Sequence, residues 1–523
     1  MEHRNIQAKP KLLVTLMAAG LLGVLGVANA APTYTINKAL VADDQWQGED
    51  GVVDPKPIYK PHETDASFFP DYWISSNERG DEEVPGSGKG GITILKYGSN
   101  AVLSQVNIEA ACIPVVQVSG NLGACAPAGA EGHPRHPHGI DIDQVRKLAY
   151  QVIEHSGLQW KANRSGFKTA SSTDEESGLL VVYDIKDPKH PKVLKGYVLG
   201  HAAEESAVNE GNGKVYVGNH EPSPTTVPCF VSVINPAASK PYKFIDLPND
   251  QSCVQGIEVD ELLGTVNGTT HIGQKMYTFN SNNDTIAYSV DIRGPFDAFV
   301  AGLPASQRFT IPDGWVIHMH DLATDKIGHR AYQTIHTIGD ANAVEAEDEE
   351  DPTVPAPPEA DEITGRWVAE VNTNPNSGDF KKVRIIDLSN GQSVPAVRTH
   401  HDAVATHLPF NKLFVHAHFL AVDPLNDALL VSGEHTGNLG VVDTGTRKLG
   451  QVLSISRRIP HCVIPPDETG VVPDIEPHVH GVNIQALTGT AYVSDEGETC
   501  LYESVTVLNP SRNNNNNSSN NGY

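Results

Sequence analysis

The chain has 523 residues, with 46 glycines, 36 prolines, 6% aromatic residues and a formal charge of −26. So acidic a balance argues against nucleic acid or an anionic membrane surface as partner, because both require a basic face. The length allows several ordinary domains or one large all-β domain, and the Gly and Pro content fits many short strands joined by turns better than long helices.

At the N-terminus, Arg4, Lys9 and Lys11 precede an apolar run from Leu12 to Val27, which ends at the small-residue site Ala28-Asn29-Ala30. This predicts a signal peptide over residues 1–30 and a mature chain from about Ala31, periplasmic or secreted. The run is short for a membrane span, and no later stretch is apolar enough to make one. All six cysteines follow the cleavage site, so disulfides are expected in an oxidising compartment. Six cysteines allow fifteen connectivities; sequential pairing closes the shortest loops and is the one expected: Cys112 with Cys125, Cys229 with Cys253, Cys462 with Cys500. Neither a Cys-x-x-Cys-His haem attachment nor a Cys-rich zinc spacing is present.

Residues 31–61 read as irregular and Pro-rich apart from Tyr34–Val41, which alternates like a strand. A first set of strand-like runs covers Tyr72–Ser76, Ile92–Tyr97 and Val102–Ile108. One regular unit then reads His138–Asp143, Leu148–Ile153, Leu179–Ile185 and Val193–Val198. The next starts at His201 and continues through Lys214–Gly218, Phe230–Ile234 and Tyr242–Leu247; another runs from Val254 through Lys275–Phe279 and Thr285–Ile292. Further starts lie at His320, His418 and His480. Repeated four-stranded units predict an all-β fold, a seven-bladed β-propeller with six blades as the runner-up, in one domain over 31–509. The last unit lacks a fourth run, and Tyr34–Val41 is expected to supply it. Residues 341–362 read as an acidic, Pro-rich insertion and 510–523 as an Asn/Ser tail.

The chemistry lies in a phrase that occurs four times: His136-Pro137-His138, His318-Met319-His320, His416-Ala417-His418 and His478-Val479-His480. In extended backbone, residues i and i+2 point the same way, so both rings of a pair can face one cavity. The unit starts carry His138, His201, Gln255, His320, His418 and His480. The second-strand ends carry Glu154-His155, Asn219-His220-Glu221, Asn280-Ser281-Asn282, His336, Glu434-His435 and Asp495-Glu496. In a propeller both sets meet at one mouth of the channel. A single His at such a start can serve only to stabilise a turn. The full set favours a metal centre, with His138, His201, His320, His418 and His480 as leading ligands and His136, His318, His416 and His478 as second ligands or proton carriers. Imidazole suits copper, zinc, iron and nickel.

The run Leu180-Val181-Val182-Tyr183-Asp184-Ile185-Lys186-Asp187-Pro188-Lys189-His190-Pro191-Lys192-Val193 resembles the LVIVD-type propeller repeat. It is also similar to a strand pair of selenium-binding protein and methanethiol oxidase, and thiocyanate dehydrogenase is similar in architecture and compartment. The resemblance implies an exported propeller with His-bound copper, acting as an oxidoreductase on a small, sulfur-containing substrate. Iron or zinc are the alternative metals. The expected partners are that substrate and a periplasmic electron acceptor, and Glu434 or Glu154 is expected to accept the substrate's proton. The competing expectation is a non-catalytic propeller that binds a protein or small ligand and uses its histidines structurally.

Overall fold

The strand Ser177–Asp184 is buried along almost its whole length, and its alternate residues go to different places. Leu179, Val181 and Tyr183 pack with Ile74, Ile92 and Ile94, whereas Leu180 and Val182 pack with Val208, Val215 and Val217. Successive side chains on a strand point to opposite faces, so an unbroken apolar run marks a strand covered by a neighbouring sheet on each side. The computed structural model describes residues 31–41, 61–66, 71–77, 90–108, 111–126, 136–161, 164–170, 176–219, 229–248, 253–340, 363–389, 416–457, 477–496 and 504–511. These residues form seven sheets, and an apolar cluster fills each junction between neighbouring sheets.

The first strands of the seven sheets, in chain order, are Pro61–Ala66, Pro137–Asp143, Ser206–Asn209, Val254–Asp260, the broken pair Trp315–His318 and Leu322–Asp325, Ala417–Asp423, and Val479–Ile484. Each touches the next, and Val479–Ile484 returns to Pro61–Ala66. Antiparallel sheets arranged radially around a closed ring of first strands make a β-propeller. Closure comes from the N-terminal strand Tyr34–Val41, which pairs antiparallel with Ser504–Pro510 as the outermost strand of the seventh sheet. The buried Tyr34 hydroxyl donates to the Asp423 carboxylate of the sixth sheet. The closing strand is the one the sequence suggested.

The second sheet is enlarged. Its strand Leu148–Trp160 runs on into a hairpin with Phe167–Thr169, and Pro114–Val116 adds to its outer edge beside Lys192–His201. Disulfides join Cys112 to Cys125 and Cys229 to Cys253, as expected; Cys462 and Cys500 lie outside the described residues, as do residues 1–30 and 341–362. Pro510 belongs to the last strand rather than to the tail. No helix among the described residues is long and apolar enough to cross a membrane.

Three expectations are corrected. Pro61–Ala66, a polar run, is the first strand of the first sheet. Thr265–Thr270 is the second strand of the fourth sheet, which makes Lys275–Asn280 its third and carries Asn280–Asn282 to the rim opposite the histidines. Its polar residues are stabilised by bonds rather than by apolar packing: Thr278 Oγ1 donates to Asn267 Oδ1 (2.9 Å) and Thr269 Oγ1 to Gln333 Oε1 (2.8 Å). Finally, His201 does not open a first strand. It ends Lys192–His201, where it pairs with Ser177. The chain then turns at Ala202, with φ +42°, and the next first strand begins at Ser206.

Candidate metal centre

One backbone device sets the site. In five sheets the pairing of the first and second strands slips near its start, between Pro61 and Thr64, Pro137 and Ile140, Val254 and Ile257, Ala417 and Leu420, and Val479 and Val482. Such bulges re-aim the side chains they carry. Where side chains are described, the residue after the slip begins is His138, Gln255, His418 or His480. In the remaining two sheets Glu204 and His320 hold the same place, two residues before Ser206 and Leu322, which pair with Val217 and Gln333. A ring position thus recurs on six of the first strands among the described side chains.

A second contact puts a carboxylate beside three of the four His pairs. The backbone N–H of Glu154 donates to the His136 carbonyl (2.8 Å), that of Glu434 to His416 (3.0 Å) and that of Glu496 to His478 (3.0 Å). The acids that end these second strands are therefore held directly behind the first imidazole of each of these three pairs.

His320, His418 and His480, from three different sheets, converge. Their ring centroids are 3.8 Å apart for His320 and His418, 4.5 Å for His418 and His480, and 6.4 Å for His320 and His480. Phe419 packs against all three rings at 4.4–5.2 Å. Glu434, 5% exposed, anchors the group: its Oε2 accepts from His336 Nε2 (2.8 Å) and lies 3.4 Å from His418 Nδ1, and its Oε1 bonds His478 Nε2. His416 Nδ1 lies 3.3 Å from His336 Nε2, and His318 Nδ1 lies 3.4 Å from His336 Nδ1. Glu496 stands behind His478 (3.5 Å) and His480 (3.6 Å).

His416 has a left-handed φ of +53°, rare for a residue with a side chain; its N–H donates to the Gly365 carbonyl (2.7 Å). A Cβ on Gly365 would lie 1.9 Å from the His336 carbonyl oxygen, so only glycine lets the fifth and sixth sheets bring His336 and His416 together.

A second group lies on the second sheet. Glu154 Oε2 is 3.0 Å from His136 Nδ1, 3.3 Å from His138 Nε2 and 3.7 Å from His155 Nε2. Burial pushes the Glu154 carboxyl up, but His155 and the hydrogen bonds from His136 and His138 outweigh it and hold the group well below the ordinary carboxylate range. An acid so hard to protonate suits a ligand or an acceptor of imidazole hydrogen bonds better than a base. Burial pushes His418 well below the ordinary imidazole value; Glu434 opposes the shift, and His320, His480 and His336 add to it. A neutral imidazole is the form that binds a metal.

Of the nine histidines expected as ligands, the structure gathers His318, His320, His416, His418, His478 and His480 around Glu434 and His336, and His136 and His138 around Glu154. Donor atoms of three sets lie within 4.8 Å of one another: His418, Glu434, His478 and His480; His336, His416 and Glu434; and His136, His138 and Glu154. His201 joins none of these sets. The place assigned to it belongs to Glu204, whose Oε2 accepts from Gln255 Nε2 (2.7 Å) and whose Oε1 is 4.0 Å from His320 Nε2. Sequence reading also missed His271, whose ring lies against that of His318, tilted by 36° with the centroids 4.1 Å apart. Its signal was its place immediately after Thr265–Thr270, a strand too polar to be noticed.

No family model matches the chain, and no curated protein matches it in sequence. Among solved structures it is similar to the β-propeller domain of Myceliophteria thermophila Cps50 (Swd1), with 8% identity and a TM-score of 0.47, over 91% of this chain and 99% of that one. It is also similar to Kuenenia stuttgartiensis hydrazine synthase, with 12% identity and a TM-score of 0.47, over 88% and 99%. These are likenesses of fold, and the sheet topology establishes the propeller directly.

Proposed function

We propose that the chain is an exported metalloenzyme, a copper-dependent oxidoreductase that acts on a small, sulfur-containing substrate at one mouth of the propeller channel. Each of the seven sheets is read here as one blade. The observation that carries the reading is the convergence of His320, His418 and His480 from three blades, backed by a buried carboxylate that touches three further or shared imidazoles. A turn-stabilising histidine needs none of this. Two disulfides are compatible with export.

The donor set of imidazoles with one carboxylate suits copper, with iron or zinc as alternatives. His320, His418 and His480 would hold it, with His478, His416, His318 and His336 around them and His136, His138 and Glu154 as a separate set. Copper when bound would supply one-electron redox chemistry and a site for a soft donor atom. The protein's own residues do the rest. Glu434 fixes the tautomers of His336 and His478 and is placed to accept a proton released near His418. Phe419 covers one side of the three rings and keeps water from it. Electrons would leave to an external periplasmic acceptor.

The test is metal analysis of protein exported in copper-supplemented medium, with His320→Ala and His418→Ala alongside. Copper retained by the wild type and lost from both variants supports the reading. A wild type that binds no copper, or variants that retain it in full, would leave the histidines as structural parts of a binding propeller.

A further inference from the structure

The first strands run away from the histidines, so the turns that join them to the second strands lie on the opposite face of the propeller. Five of these turns are built alike. Asp143, Asp260, Asp325, Asp423 and Gln485 open them, and the side-chain oxygen of each accepts the backbone N–H three residues on, at 2.8–3.2 Å. The fifth residue, Lys147, Gly264, His329, Asp427 or Gly489, has a left-handed φ of +50° to +70°. Such a turn makes no demand for an apolar third residue, and turn positions are ordinarily polar. Yet the third residue is Val145, Leu262, Ile327, Leu425 or Leu487. Val145 is 48% exposed, Leu262 46%, Ile327 45% and Leu487 42%, while Leu425 is half-buried.

The polar residues beside these tips are engaged sideways. The Gln144 N–H donates to Glu210 Oε1 of the third sheet (2.7 Å), Lys326 of the fifth sheet reaches Glu261 of the fourth (3.3 Å), and His329 reaches Asp260 (3.1 Å). Thr490 of the seventh sheet bonds the Tyr97 hydroxyl of the first (3.0 Å). Neighbouring turns therefore fix one another, and the aliphatic tips stand on a rigid rim. The six described turns of this kind carry seven carboxylates against five Lys or Arg, so the rim is far nearer neutral than the chain as a whole. Single exposed aliphatic residues are ordinary. The same apolar position repeated in five turns of one face marks a contact surface.

The chain itself indicates what this surface meets. The closing strand starts on the same face: Tyr34 pairs with Pro510 and bonds Asp423. A Cβ on Gly489 would lie 2.5 Å from Asp423 Oδ2 and 3.1 Å from Pro510 Cγ, so the turn that carries Leu487 abuts that start. The described residues begin close by, at Ala31. The residues before it carry the apolar run Leu12–Val27 behind Arg4, Lys9 and Lys11, expected to enter the membrane during export. The membrane-entering segment is thus joined to the chain beside the apolar rim. We propose that this face docks on a lipid bilayer with zwitterionic headgroups, with the aliphatic tips in the interface and the histidine mouth turned to the aqueous side. Aliphatic side chains gain by leaving water there, whereas an anionic surface would repel a chain of net charge −26. The inference rests on the export reading and is independent of copper.

Flotation with phosphatidylcholine–phosphatidylethanolamine vesicles tests this, using the chain from Ala31, which contains all seven sheets and the closing strand. The wild type is expected to float with the vesicles at low and high salt alike, because apolar contacts are not screened. A chain carrying Val145→Ser, Leu262→Ser, Ile327→Ser and Leu487→Ser together should partition about tenfold more weakly or worse. Leu122→Ser, at a residue 62% exposed on the outer edge of the second sheet, should partition as the wild type does. Should the fourfold variant fail to fold, Leu262→Trp decides: its emission must shift to the blue when vesicles are added. A wild type that ignores the vesicles, or a fourfold variant that floats as well as the wild type, would overturn the proposal. So would a vesicle-free dimer that the four substitutions dissociate, since it would give the face to a second copy of the chain.

Discussion

Replacing Glu434 by Gln probes the link between fold and site most sharply. The side chain keeps its shape but exchanges one acceptor oxygen for an NH2 group. In the wild type, Oε2 accepts from His336 Nε2 at 2.8 Å and lies 3.4 Å from His418 Nδ1, while Oε1 bonds His478 Nε2. Whichever way the amide is turned, at least one imidazole meets a donor where it had an acceptor. Carboxylate partners of metal-binding imidazoles contribute about 10–100-fold to affinity, or about 1.4–2.7 kcal/mol. Glu434 serves imidazoles from three sheets, so the upper end is expected: copper affinity about 100-fold weaker. The assay is titration against a competing copper chelator, with circular dichroism to confirm that the propeller stays folded. An affinity within about threefold of wild type, below the range such partners contribute, would refute the role assigned to Glu434.

Three further outcomes follow from the fold. Tyr34→Phe removes the hydroxyl that bonds the buried Asp423 from the closing strand, and should cost about 1–3 kcal/mol in denaturant unfolding. Replacing Cys229 and Cys253 by Ala opens a link with a sequence separation of 24 and should lower stability by about 3 kcal/mol. Burial, with Asp65 and Glu258 nearby, raises the Asp141 carboxyl well above its ordinary value, so the folded state binds its proton more tightly than the unfolded chain. Stability from this group is then present at low pH and lost as pH rises through the folded value. In chelator, Asp141→Asn should therefore raise the unfolding temperature by about 2–4 °C at alkaline pH and give no gain near pH 4; a gain that grows as pH falls would contradict the sign.

The architecture was legible wherever strands are covered on both faces. Leu179–Tyr183 feeds two apolar clusters with alternate residues, which is why it reads as a continuous apolar run. Tyr34–Val41 was recognisable as the closing strand because the last unit was short of one. The channel side was harder to read. First strands face one another around the axis, so Pro61–Ala66 and Ser206–Asn209 carry little apolar signal. Periodicity therefore gave no reason to choose Glu204 over His201 for the third ring position. The pairs His416–His418 and His478–His480 were legible because i and i+2 repeat at a strand start. The bulge that aims them shows only in the pairing, as the slips before Leu420 and Val482. His271 was hidden for the same reason, since what sets it beside His318 is the closed ring and not a local pattern.

The most direct test of the account is an anomalous-scattering map at the copper edge from crystals of the exported, copper-loaded protein. The account predicts a peak bonded to the imidazoles of His320, His418 and His480. Full copper occupancy at other residues, with those three rings packed against one another and no peak among them, would contradict it.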